Sequence, residues 1–183
     1  ADTVANVLWI ANQRHGLDRL DCSDYTFTHY RPDKDNPDAI GSPGVTDIAP
    51  AADGKLWVAT YTDGIDLMDP ATGKFRHFNS RTVRGWPDDH VWTMRESDGM
   101  VYVGHVNSGF SVFDPRKNRV RNFRYDASDP SSLPGNGVRA VLPDKNGNVW
   151  VGTDGGLALF NPESGTFTCF RHDGGRSSSL VSN

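Results

Sequence analysis

Apolar residues in this chain come in short runs of four or five, and polar turn residues separate the runs at regular intervals. From Val138 to Asp173 the runs are Val138–Leu142, Val149–Thr153, Leu157–Phe160 and Thr166–Phe170, broken at Asp144–Gly147, Asp154–Gly156 and Asn161–Gly165. Runs of that length bounded by Gly, Asn and Asp predict four strands and three tight turns, an antiparallel meander. The second runs (Leu56–Ala59, Val101–Gly104, Val149–Gly152) are apolar without clean alternation, which predicts strands covered on both faces.

The same pattern recurs upstream. Trp9, Trp57, Tyr102 and Trp150 each follow an apolar residue and precede Ile or Val, at separations of 48, 45 and 48 residues. Three further columns keep this step to within one residue: Gly16, Gly64, Gly109 and Gly156; Phe27, Phe75, Val120 and Phe167; Tyr30, Phe78, Phe123 and Phe170. Four strands per unit at this period predict an all-β fold, a fragment of a β-propeller built of four-stranded antiparallel blades. The expected boundaries are a partial blade over 1–40, lacking its innermost strand, then blades over 41–87, 88–134 and 135–183. Asp53-Gly54, Asp98-Gly99 and Asn146-Gly147 are expected to form primed hairpin turns between first and second strands. Asp69–Gly73, Asp114–Asn118 and Asn161–Gly165 join third to fourth strands, each closing on a residue that accepts a left-handed conformation; Asp21–Asp24 is the degenerate first version. The Trp and Tyr column is read as packing between blades rather than as a stacking platform.

Ile40 and Leu133 each precede a first strand by five residues, so Leu180 is expected to precede another, near a position 185. Such an arc would leave apolar blade faces and a strand edge open, which predicts self-association or further blades of a longer ring. The chain starts at Ala1 and not at Met, as expected of an excised piece or a mature product.

Composition narrows the classes. Nineteen Gly and eleven Pro agree with a turn-rich fold, and a net charge of -4 with interspersed signs offers no basic patch for nucleic acid or anionic membrane. No run approaches a membrane span. The two cysteines, Cys22 and Cys169, match no metal spacing and are expected to be free thiols, and no cofactor or metal site is expected.

The units from Asp53 (DGKLWVATYTDGIDLMDPATGKFRHF) and Asn146 (NGNVWVGTDGGLALFNPESGTFTCF), with the linkers DPSSLPGNGV from Asp129 and RSSSLVSN from Arg176, resemble two-component regulator propeller repeats. The weakest copies are the first and the third, where Tyr102 replaces Trp and His105 follows Gly104. This resemblance implies the extracytoplasmic or periplasmic sensor domain of a bacterial hybrid two-component or diguanylate cyclase-type protein. It further implies ligand sensing, often of saccharides in gut bacteria, with catalysis confined to a kinase or cyclase module.

In a blade meander the loops between second and third strands share one face with the connectors between blades, and the Asp-Gly and Asp-Pro turns lie on the other. The candidate ligand-binding face therefore collects Arg14, His15, Tyr61, Asp63, His105, Asn107 and Asp154 from the loops, with Trp86 and His90 from a connector. His15 and His105 hold equivalent positions, which raises an alternative, a propeller lyase or hydrolase resembling virginiamycin B lyase; a third reading is a protein-interaction scaffold. Asp88, Asp89 and His90 read as an acidic linker or cap, matching no calcium or zinc motif. His29, His77 and His172 are expected as surface positions on outer strands.

Overall fold

The computed structural model describes residues 6–183 and consists of fifteen strands in four sheets. Blade 1 contains β1 (Val7–Asn12), β2 (Gly16–Asp21) and β3 (Thr26–Tyr30). Blade 2 contains β4 (Val45–Pro50), β5 (Leu56–Thr60), β6 (Ile65–Asp69) and β7 (Lys74–Phe78). Blade 3 follows with β8 (Val91–Ser97), β9 (Met100–His105), β10 (Phe110–Asp114) and β11 (Arg119–Phe123), and blade 4 with β12 (Val138–Pro143), β13 (Val149–Thr153), β14 (Gly156–Asn161) and β15 (Thr166–Phe170). Each sheet is an antiparallel meander in sequence order, three-stranded in blade 1 and four-stranded in the others. The fold is therefore the all-β propeller fragment that the repeat predicts.

The core lies between the blades. Leu17 and Ile40 of the first repeat pack with Val45, Leu56, Val58, Met68 and Phe75 of blade 2, joined by Trp9 and Tyr30. Trp57, Ile65 and Phe78 of blade 2 meet Met94, Val101, Val103 and Phe113 of blade 3. Tyr102, Phe110 and Val112 of blade 3 meet Val141, Val149, Val151, Phe160 and Phe167 of blade 4. A blade has no interior of its own, which is why its second strand lacks polar alternation. The Trp57 indole also donates to Glu96 of the next blade at 2.5 Å. Connector leucines and isoleucines plug the seams, with Ile40 2% and Leu133 0% exposed.

The conserved-step glycines hold the seams at one face. Gly16 N, Gly64 N and Gly109 N donate to the carbonyls of Pro43, Asp89 and Asn136, each in the connector just before the next blade. All three have φ between +74° and +81°, a region that glycine enters at little cost. A Cβ there would stand 2.1 to 2.3 Å from the carbonyl oxygen of Tyr30, Phe78 or Phe123, so no other residue fits.

On the opposite face the turns partly follow expectation. Gly73, Asn118 and Gly165 all take positive φ, with Tyr25 in the same place in blade 1. Of the three expected primed hairpins, Asp98-Gly99 is a two-residue turn with both φ positive. The other two are corrected to five-residue loops over 51–55 and 144–148, because Pro50 and Pro143 end their strands and the ladder closes from Ala51 N to Lys55 O and from Asp144 N to Asn148 O. Tyr25, at φ 59° and 76% exposed, is a bulky side chain in a left-handed position. Tyr25→Gly is expected to stabilise the chain by about 1 kcal/mol, read as a higher midpoint in urea; an unchanged or lower midpoint contradicts it.

Candidate functional site

The repeating seam bonds settle which loops share a face. Tyr61 N donates to Gly44 O, Val106 N to His90 O and Asp154 N to Gly137 O, so each loop between second and third strands is fastened to the connector entering its own blade. The glycine bonds described above fasten it to the next connector. Loops and connectors thus form one continuous face, as the topology predicts.

On that face the nominated residues separate into groups. Arg14 and His15 are exposed on the β1–β2 loop, and Asp154 is exposed at the junction of blades 3 and 4, where its carboxylate accepts from Gly137 N at 3.2 Å. Asp63 is buried and pairs with Arg81. Trp86 and His105 lie beneath the surface, 6% and 0% exposed, their rings edge to face at 5.9 Å. Burial holds His105 down to about pKa 4, so the imidazole is neutral. Its Nε2 meets Ser111 Oγ at 2.9 Å, whereas its Nδ1 and the Trp86 Nε1 have no partner among the described residues. His105 therefore stands apart from the exposed His15, and the expected equivalence of the two is corrected: the 48- and 45-residue steps place His105 at the position of Asn12 and Thr60, and His15 at that of Ser108.

The remaining three come together between blades 2 and 3. His90 is half-exposed, and its Nδ1 lies 2.7 Å from Asp88 Oδ1, which also accepts the His90 backbone N–H at 3.0 Å. Ser108 Oγ donates to the other Asp88 oxygen at 2.9 Å. Fixing Nδ1 in this way leaves Nε2 with no protein hydrogen bond among the described residues. Tyr61, 43% exposed, stands edge to face with the His90 ring at 5.5 Å. Asn107, also exposed, completes the rim next to Ser108. Asp89 caps the connector by accepting from Ser80 N and Oγ at 2.7 and 2.6 Å, the role expected of this acidic run.

Two features were not visible in the sequence. The first is the pair between Asp66 and His77. Asp66 is fully buried, and His77, expected at the surface, is corrected to a ring 24% exposed whose Nδ1 lies 2.7 Å from Asp66 Oδ1 and whose Nε2 lies 3.0 Å from Pro37 O. The Asp66 carboxylate pushes the His77 pKa up to about 9, while burial raises that of Asp66. Asp63, Asp66 and His77 bring their ligand atoms within 4.8 Å of one another. Both imidazole nitrogens face acceptors, however, so the ring carries both protons and offers no lone pair to a metal. This cluster is an ion-pair network. The second feature is a bulge repeated in each innermost strand, between Val45 and Asp47, Val91 and Thr93, and Val138 and Ala140. The bulged residues reach across neighbours: Thr46 Oγ1 donates to Val91 O at 3.0 Å, and the Arg139 guanidinium lies 5.4 Å from the Trp92 ring centre.

Seams, stitched connectors and one varied loop face define the class: this chain is an arc of a β-propeller. More particularly, it carries two component regulator propeller repeats, and that family's model matches residues 132–155. The chain is similar to the extracellular domain assigned to a hybrid two component system of B. thetaiotaomicron, at 38% identity and a TM-score of 0.83 over 93% of this chain and 23% of that domain. A second extracellular domain from B. thetaiotaomicron, assigned to a one component system, shares 18% identity with a TM-score of 0.75 over 97% of this chain and 22% of that one. The WD40 repeats of RRP9 share the fold alone, at 14% identity and a TM-score of 0.67, covering 90% of this chain and 47% of that one. This chain thus spans about a quarter of the sensor domains it resembles. No curated protein matches it. Among the described residues no helix is long and apolar enough to cross a membrane.

Proposed function

We propose that this chain is part of an extracytoplasmic ligand-sensing propeller, a binding module, and that a saccharide-like ligand lies on the loop face between blades 2 and 3. The arrangement of Asp88, His90 and Tyr61 carries this reading. A half-exposed imidazole with one nitrogen fixed by a carboxylate presents the other to a ligand, in a set orientation. Beside it the Tyr61 ring offers an apolar face and a hydroxyl, the combination that suits a sugar's C–H and O–H groups. Loops on a rigid scaffold are where such sites are found. The similarity to an extracellular domain of a hybrid two component system supports the sensing role and the extracytoplasmic setting. A ligand acts as a signal only through different affinities for two arrangements of the blades or of whatever packs on them.

Calorimetric titration with a panel of neutral and acidic oligosaccharides tests this. At least one is expected to bind, and Tyr61→Ala or His90→Ala is expected to weaken it at least about tenfold, or about 1.4 kcal/mol. Arg116→Ala, in a turn on the opposite face, leaves it unchanged. Absence of binding across the panel, or binding indifferent to both substitutions, overturns the assignment.

A further inference from the structure

The outermost strand of blade 3 carries a charge that no other blade shares. From Lys117 to Arg124, eight residues hold four cations and no carboxylate, whereas the matching segments hold one Lys or Arg in blades 1 and 4 and two in blade 2. The interspersed signs expected from composition fail along this strand. Arg119, Arg121 and Arg124 are all exposed, and none has a carboxylate partner among the described residues; Lys117 takes Asp114 at 3.5 Å. The seams account for little of this. Arg121 covers Phe123, its guanidinium 5.1 Å from the ring centre, as Arg76 covers Phe78 at 4.7 Å in blade 2. That explains one arginine per strand. Arg119 stands two residues before Arg121, on the same face of β11 and about 7 Å away, where like charges repel. Blades 1 and 4 carry Thr26 and Thr28, and Thr166 and Thr168, at these two places and form the same meander. The fold therefore does not need the charge. Arg121 is also held in one orientation, because it reaches across to the turn of blade 4, where a Cβ on Gly165 would come within 2.7 Å of its Nη2. Arg116 stands outside the row, its guanidinium turned against Gly99 in the β8–β9 turn.

We propose that the outer edge of β11 is a second binding site, for an acidic polysaccharide, with Arg119, Arg121 and Arg124 taking its sulfate or carboxylate groups along the rim of blade 3. A guanidinium meets such oxyanions with two parallel N–H donors, and a short run dense in Lys and Arg is the footprint of a polyanion site. Shape selects the polymer. The cations form a line one strand wide, with exposed acids at Asp126 and Asp129 in the following connector and at Glu163 in the blade 4 turn. A linear chain follows the cations and avoids these acids, whereas a flat anionic membrane meets both. The choice of a polysaccharide over a nucleic acid rests on the extracytoplasmic setting proposed above. The rim is separate from the loop face that carries Tyr61 and His90, so the two sites fail or hold independently.

Anisotropy titrations of the full chain with fluorescein-labelled dextran sulfate, polygalacturonate and uncharged dextran test this. At least one acidic polymer is expected to bind, and dextran is not. Raising salt from about 50 to about 200 mM is expected to weaken binding at least about tenfold, the scale for three or more ion pairs to a polyanion. The double variant Arg119→Glu/Arg121→Glu is expected to weaken it at least about tenfold at the lower salt, as loss of two charge-assisted contacts requires. Lys34→Glu/Lys145→Glu, the same change in net charge at exposed positions elsewhere, is expected to bind as the unsubstituted chain does. Far-UV circular dichroism checks folding, and Arg119→Thr/Arg121→Thr, which installs what blades 1 and 4 carry, replaces the Glu variant if that melts early. Tyr61→Ala and His90→Ala are expected to leave polymer binding intact, which separates the rim from the loop face. Absence of binding by both acidic polymers, equal losses in the two charge-reversal variants, or loss of binding in Tyr61→Ala overturns the proposal. Stronger binding of single-stranded DNA or phosphatidylglycerol vesicles than of either polymer overturns the polysaccharide assignment.

Discussion

Gly109→Ala is expected to destabilise the chain by at least about 3 kcal/mol, a large share of the stability of a small domain. Two independent costs meet at that residue. At φ +81° an alanine carries the left-handed penalty of about 1 to 2 kcal/mol. Its Cβ would also lie 2.1 Å from the Phe123 carbonyl oxygen, which belongs to the paired strand and cannot swing away. Relieving that contact separates β10 from β11 or withdraws Gly109 N from Asn136 O, so the damage reaches blade 4. Gly54 provides the control, since its φ is +80° and a Cβ there meets nothing within 4 Å. Gly54→Ala therefore shows the conformational cost alone, about 1 kcal/mol. Urea unfolding of both variants separates steric from conformational cost; equal losses would show that the close approach to Phe123 contributes nothing.

His77→Ala is expected to cost about 3 kcal/mol at pH 7, because it strands a fully buried Asp66 carboxylate with the Gly41 N–H, at 3.0 Å, as its remaining partner. The intact pair makes stability depend on pH in a defined direction. With its pKa raised in the folded chain, His77 binds its proton more tightly there than in the unfolded chain. Its stabilising contribution is thus complete below about pH 6.5 and is lost as pH rises through about 9. Discounted for a ring one-quarter exposed, the loss across that window is about 1 to 2 kcal/mol. Melting temperatures from pH 6 to 10 are expected to fall for the unsubstituted chain more steeply than for His77→Ala. Parallel curves would show that His77 is not the group responsible.

The fold was legible because one seam is built three times. Trp and Tyr at the second strand and Gly at the third are demanded by the same contacts at each junction, and identical demands leave a period. The varied face was legible for the same reason, since chain direction alone decides where the connectors fall. Pairs whose chemistry changes from blade to blade left no such mark. The register places Asp18 opposite His29, Asp66 opposite His77, Ser111 opposite Asn122 and Ala158 opposite Cys169. One structural position thus holds two ion pairs, one polar pair and one apolar pair, and no column of like residues exposes it. His105 is the other side of that variation, buried because Ser111 and Asn122 supply a polar neighbourhood under the loop where blade 2 has Thr60. Bulges were hidden for a different reason. A single unpaired residue near the start of a strand reverses which side chains point inward, so alternation could not identify Thr46, Trp92 and Arg139 as neighbours.

With its apolar clusters between sheets, the arc behaves as four links joined by three couplings. Among the described residues, blades 2 and 3 are each held from two sides and blades 1 and 4 from one. Stability is then a sum over nearest neighbours, and a blade held from one side opens more readily than one held from two.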